Sequence, residues 1–373
     1  MVRSRSTLHV AVEIDGAGAH PAAWRFWGRP PAEVVSAQAL RDSVAVAETA
    51  GFALVTFDDR VVPASSVDGS SAVAVGRLDS GTKAAFAATT TTTVGLGPTV
   101  QALTTEPFHL ATALASLDHA SHGRAAWVVG VDNSPDVHAA VGSVPRDPAA
   151  AVREARDVVE VARRLWDSWE DDAVIRDTAT GRFLDPNKVH HTRFDGEFFS
   201  VVGPLITQRP PQGQVVVLAD ASLGISAQLD IALVAESDVP SIAGSAVVAG
   251  DAGAALVFAE VEVVLDADGV SAGRRSAELG GHADWPDTGR FRFEGSPTDL
   301  VEALTSLADV VDGVRLHPAV TTTDLYILAR EVIPALTASG VHSPPTPGAT
   351  LRETLGLPWT ASRYVGHRRT GGA

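Results

Sequence analysis

Short runs of β-branched and apolar residues alternate with longer alanine-rich segments of helical period along nearly the whole chain. That alternation restricts the fold to βα units on a parallel sheet. LHVAVEI (residues 8–14) reads as a first strand, 34–50 as a helix stopped by Gly51, and FALVTF (52–57) as a second strand. Residues 79–89 predict a helix, 90–99 a third strand, and 107–119 a helix opened by Glu106 and Pro107. RAAWVVGV (124–131) is a fourth strand. Across 147–166, Val152, Ala155, Val158, Val159, Ala162 and Leu165 recur at helical spacing. VVVLAD (215–220) suits a strand buried on both faces, and 223–235 predicts a helix. A sixth strand falls near 238–243, a seventh over 254–265, a helix over 298–307, a last strand over 310–318 and a closing helix over 323–338. The threonine run from Thr89 to Thr93 reads as β-branched strand. About eight units of this kind close most naturally into a (β/α)8 barrel, an α/β fold with its function at the C-terminal strand ends. An open doubly wound sheet is the alternative, but no GxGxxG follows a strand.

With 373 residues and 45% hydrophobic content the chain suits one barrel domain spanning 1–373. A formal net charge of -16 and the lack of any basic run argue against nucleic acid or an anionic membrane as partner. The absence of cysteine removes disulfides, thiolate metal sites and a cysteine nucleophile. MVRSRSTLHVAVEIDG has too few consecutive apolar residues for a signal-peptide core or a membrane span, so a cytoplasmic protein is expected.

The stretch 165–213 is unusual: LWDSWEDDAV, a Thr-Gly turn, FLDPNKVHH, DGEFFSVVGPL and QRPPQG, with Trp166 and Trp169 among carboxylates. It resembles the long insertion after the fourth strand unit in the nitrilotriacetate and desulfurisation monooxygenase branch of the luciferase-like flavoproteins. GATLRETLGLP (348–358), followed by Arg363 and Tyr364, resembles that branch's C-terminal signature. HPAAWR (20–25), FALVTFDD (52–59) and EPFHLATALASLDHASHGRAAW (106–127) match in the same order. The resemblance implies a (β/α)8 TIM barrel with an insertion at about 167–213, a C-terminal tail at about 340–373, and a shortened lid after strand seven, residues 266–296, over a more open pocket. It further implies reduced FMN supplied by a separate flavin reductase, oxygen transfer to a small organic substrate, and a homodimer or larger assembly. F420, which related barrels employ, stays open as the alternative cofactor.

Carried over residue by residue, the resemblance assigns cofactor contacts to Asp59, Thr99, Ser222 and Gly224, and a proton-donating or substrate-contacting role to His20. The chain departs from the family at several of these places. Thr99-Val-Gln-Ala-Leu103 stands for Thr-x-Ser-Thr-Thr, Ala126-Trp127-Val128 for Gly-Trp-Asn, and Ala151-Val152 for Arg-Tyr. At the phosphate end Leu218-Ala-Asp220-Ala-Ser222-Leu-Gly224 stands for Gln-Ala-Gly-x-Ser-x-x-Gly, which adds the carboxylate of Asp220. Like charges ~6 Å apart at an effective dielectric near 20 repel by roughly 3 kcal/mol, about a hundredfold in affinity. These departures motivate a second reading, a barrel that has lost tight flavin binding and serves as a non-catalytic subunit or ligand-binding homologue. Plainer roles compete at single positions too: His20 as a loop histidine orienting Trp24, and Asp59 as a cap. His109, Asp118, His119 and His122 fit no metal motif. Trp166 and Trp169 read as structural, Glu170-Asp171-Asp172 as a solvated face, His190 and His191 as surface, and His317 as a substrate contact at the rim.

Overall fold

The computed structural model describes residues 7–14, 16–59 and 76–364. In chain order the first strands are β1 (His9–Glu13), β2 (Leu54–Phe57), β3 (Gly95–Gln101) and β4 (Ala126–Gly130). Two antiparallel hairpins follow in the insertion, β5 (Val174–Asp177) with β6 (Arg182–Leu184) and β7 (Thr192–Asp195) with β8 (Ser200–Gly203). The chain then returns through β9 (Val216–Asp220), β10 (Ile231–Val234), β11 (Leu256–Leu265), β12 (Phe291–Gly295) and β13 (Gly313–Pro318). Parallel pairing runs β10, β9, β4, β3, β2, β1, β13, β11, and a ladder between β10 and β11 closes the ring. The fold is therefore a closed eight-stranded (β/α)8 barrel. Strand β12 is extra: it pairs with Val261 to Leu265 of β11, beyond the stretch that pairs with β10.

Helices α1 (Ala37–Ala50), α2 (Ser80–Ala88), α3 (Pro107–Ala120), α4 (Pro135–Val141), α5 (Pro148–Trp166), α6 (Val239–Asp251), α7 (Ala272–Gly280) and α8 (Pro297–Leu307) lie between the strands. Local chemistry fixes their ends. Ser36 accepts from the Ala39 N–H to start α1, and Gly51, at φ 95°, takes the left-handed turn that stops it. Asp147 caps α5 by accepting from Ala150, and of the predicted stripe, Ala155, Val158, Val159, Ala162 and Leu165 are fully buried in the core while Val152 is partly buried against it. The last helical stretch winds through π turns at Thr321–Leu325 and Leu328–Val332 before α9 (Ile333–Ala338).

Inside the ring, alternate residues of each strand point inward. The lower layer is apolar: Ala11, Leu54, Ala126, Val128, Val216, Leu218, Ile231, Leu233 and Phe258. Its floor comes from α10 (Leu351–Thr354) and the turn after it, where Leu351, Leu355 and Leu357 join the same cluster. A capping box between Thr350 and Glu353 holds that helix in place. The family-like GATLRETLGLP string is thus a plug.

Three sequence expectations fail. Residues 223–235 are not a helix: two three-residue 3-10 turns, Ala221–Leu223 and Ser226–Gln228, lead straight into β10. The connection is too short for a helix, and Asp230, paired with Arg163 and Arg352, pins the strand's start. The segment placed as strand six, 238–243, is instead the start of α6, capped by Asp238. Thr89 to Thr93 form a turn and not a strand, because the Glu48 carboxylate accepts from the N–H groups of Thr92 and Thr93. Among the described residues no helix is long and apolar enough to cross a membrane.

Candidate active site

Charged residues occupy inward positions at the upper, C-terminal ends of three neighbouring strands. The ladder sets Glu260 of β11 opposite Arg315 of β13, and Glu262 opposite His317. Pairing of Val12 with Leu316 brings Glu13 of β1 level with His317. Arg315 donates Nε and Nη2 to the two oxygens of Glu260 at 2.7 and 2.8 Å, a bidentate pair. The His317 ring bridges Glu13 through Nδ1 at 3.0 Å and Glu260 through Nε2 at 2.8 Å. All four side chains are buried. Burial opposes charge on Glu13 and Glu260, but His317 and Arg315 hold both carboxyls well below the usual carboxylate range. Burial and Arg290 lower the proton affinity of His317, and the two carboxylates outweigh them and raise it.

A second tier comes from β12 and the turn before it. Arg290 reaches Glu260 at 3.2 Å, while Arg292 and Thr288 donate to Glu262 at 2.8 and 2.7 Å. The Arg292 guanidinium also lies 4.1 Å from the centre of the Trp285 ring, which meets the His20 ring in a T-shaped arrangement with centroids 5.0 Å apart. The 266–296 segment therefore reaches across to the loop after β1. His20 is 2% exposed, and its Nδ1 accepts the Ala22 N–H at 3.0 Å. Burial and Arg292 lower its pKa to about 4, so near neutral pH the ring is uncharged with its proton on Nε2.

The opposite half of the barrel is small and less charged. Inward positions there include Thr56, Gly97, Thr99, Gln101 and Gly130. Gln101 lies over Gly130, where a Cβ would stand 2.6 Å from its amide, and it bonds the Asp132 N–H at 3.1 Å and the Asp59 carbonyl at 3.3 Å. The hydroxyl of Thr56 and Nη1 of Arg315 are buried without a hydrogen-bond partner, although Nη1 stands 3.3 Å from Glu13. A buried hydroxyl without a partner, such as that of Thr56, suits the polar edge of a ligand.

Of the residues singled out from sequence, Thr99 faces the interior and is buried. Asp59 stands at the end of β2 and accepts from Ser80 Oγ at 3.1 Å, so it ties β2 to α2. Ser222 and Gly224 lie in the turn after β9, both exposed. His317 is completely buried inside the ionic cluster, not at the rim. Trp166 and Trp169 donate to the carbonyls of Ala111 and Leu205, as structural residues do. His190 pairs with Glu170 and stacks on Tyr364. Sequence reasoning missed Glu13, Glu260, Glu262 and Arg315. The signal was present: Glu-Val-Glu and Arg-Leu-His place charges two apart within apolar strands, hence on one inward face.

FMN can be tested against these residues. Thr56 and Arg315 offer the donors a flavin ring edge would take, but the turn after β9 does not suit a phosphate. The Asp220 carboxylate there accepts the Ser222 N–H at 2.8 Å, and no helix begins between Asp220 and Ile231 that is longer than a three-residue 3-10 turn. Among the described residues no cluster of three or more His, Cys, Asp or Glu is arranged for a metal.

The fold and the place of this cluster define a (β/α)8 barrel with its polar site at the C-terminal strand ends. The luciferase-like monooxygenase model matches residues 19–233, more than half the chain, and the chain belongs to that flavin-dependent family. It is 34% identical over 227 residues to N-acetyl-S-(2-succino)cysteine monooxygenase of Bacillus subtilis (strain 168), covering 60% of this chain and 50% of that relative. It is 35% identical over 165 residues to dibenzothiophene-sulfone monooxygenase of Rhodococcus erythropolis, covering 44% of this chain and 36% of that relative. The chain spans about half the length of the curated relatives it matches. A riboflavin lyase crystal structure with modified FMN and riboflavin shares the fold at a TM-score of 0.81 and 22% identity, covering 96% of this chain and 98% of that one.

Proposed function

We infer that this protein is a flavin-dependent monooxygenase that takes reduced flavin from a separate reductase and acts on a small organic substrate at the mouth of the barrel. The observation that carries this reading is the buried, unpartnered hydroxyl of Thr56, together with the ion-paired Arg315, inside a barrel of this family. A bound reduced flavin would supply the electrons for oxygen chemistry. The chain's own residues bind, orient and exclude water. Glu13, Glu260 and His317 fix the Arg315 guanidinium, Gln101 ties the ends of β2 and β4, and Trp285 shields His20. His20 presents an Nε2 proton as a hydrogen-bond donor to substrate, and Thr99 and Asp59 border the cofactor. We place the protein in the cytoplasm as a homodimer or larger assembly, with no nucleic-acid or membrane partner; sedimentation tests the assembly.

Fluorescence titration with FMN, reduced FMN and F420, together with NADH oxidation dependent on an added flavin reductase, tests the reading. If none binds at up to about a millimolar, the enzyme reading fails. F420 is retained because solved barrels of this fold include F420-dependent enzymes. A non-catalytic subunit is the second reading, favoured by Asp220 at the phosphate end.

A further inference from the structure

The C-terminal end of β9 is built against an anion. Asp220 faces inward, in register with Leu233 of β10 and two residues beyond the inward Leu218, so its exposed carboxylate borders the mouth. Its Oδ1 accepts the Ser222 N–H at 2.8 Å, which uses the backbone donor an incoming phosphate oxygen would need. The chain then makes two three-residue 3-10 turns on its way to β10, so no helix dipole is aimed at the mouth from here. Gly224, at φ 65°, closes the first turn with open space where a Cβ would be, so it contributes no side chain over that carboxylate.

We propose that this barrel takes a flavin lacking the terminal phosphate, riboflavin or its reduced form, in preference to FMN, and that the Asp220 carboxylate sets the preference. The proposal rests on the flavin reading above and specifies its ligand. A neutral ribityl end leaves the carboxylate undisturbed and its hydroxyls can donate to Oδ1 or Oδ2, whereas a phosphate dianion meets like charge and finds Ser222 N–H already engaged. Repulsion at about 6 Å and an effective dielectric near 20 corresponds to about a hundredfold in affinity.

Flavin fluorescence quenching on the full chain, with riboflavin and FMN titrated separately at low and at physiological salt, tests this directly. Riboflavin is expected to bind at least about tenfold more tightly than FMN, with the gap narrowing as salt rises. Asp220→Asn keeps a side-chain acceptor for Ser222 and removes the charge; it should tighten FMN by roughly ten- to a hundredfold and leave riboflavin within about twofold. Because Asp220 is exposed, the variant is expected to fold, and circular dichroism checks that it does. FMN binding more tightly than riboflavin to the unaltered protein, or an unchanged ratio in Asp220→Asn, overturns the proposal while the flavin reading stands. Binding of neither flavin, oxidised or reduced, overturns both.

Discussion

Arg315 is the residue on which the interior charge balance turns. It is buried, bidentate to Glu260 and adjacent to Glu13, so removing it leaves two buried carboxylates to share only His317 and Arg290. Arg315→Met should lower the unfolding free energy by about 3–5 kcal/mol in urea titrations, and adding Glu260→Leu should restore part of that loss. The two histidines act on opposite limbs of the pH profile. In the folded state His317 has its proton affinity raised, so its contribution is complete below the unfolded value of 6.5 and is lost as pH rises through the folded value. His20 is lowered from 6.5 to about 4, so its contribution is present above 6.5 and is lost as pH falls towards 4. Unfolding free energy measured from about pH 4 to 10 should therefore fall at both ends. His317→Gln should flatten the alkaline limb, and His20→Asn should reduce the acid limb, which His20 shares with His9, lowered by burial likewise to about 4; an unaltered profile in either variant would contradict the assigned environment.

Among the elements, the plug and the loop after β1 make the sharpest predictions. Leu355 is almost wholly buried among Ala11, Leu54 and Phe258 in the lower layer, so Leu355→Ala should cost about 2–5 kcal/mol of stability in thermal or urea unfolding. Gly18 sits at φ 144°, where a Cβ would stand 2.2 Å from the Ala319 carbonyl oxygen. Gly18→Ala should therefore push the loop that carries His20 off the end of β13 and destabilise the fold by about 1–3 kcal/mol, read as a lower Tm. Long, periodic elements were legible in sequence: α5 and β11 fall within two residues of their expected bounds. Short apolar runs were not. Ile-Ala-Leu-Val of β10 follows polar and apolar residues that mimic a helical stripe, and periodicity cannot separate a four-residue strand from part of a helix. The threonine run misled because intrinsic β preference yielded to a tertiary bond from Glu48.

At the scale of the whole molecule, barrel closure and the mouth's location followed from counting units, but the site's chemistry did not. Thr99 faces the interior, but His317, expected at the rim, is buried in one cluster with Glu13, Glu260 and Arg315, and it stands 304 positions from Glu13 in sequence. Only closure of the ring brings β1, β11 and β13 side by side. A parallel barrel cannot declare that adjacency locally, because its first and last strands meet only when the circle is complete. The same logic predicts that the ionic cluster forms with the global transition: hydrogen exchange at Leu316 and Val12 should match the free energy of complete unfolding, and faster, local exchange there would refute it.

The plug gives synthesis an order. Every barrel strand precedes Leu351, so a nascent chain that has exposed all eight strands still lacks Leu351, Leu355 and Leu357 to seal the lower layer. An emerging polypeptide in that condition carries an uncovered apolar opening, an aggregation hazard that ends only when Leu351 to Leu357 dock.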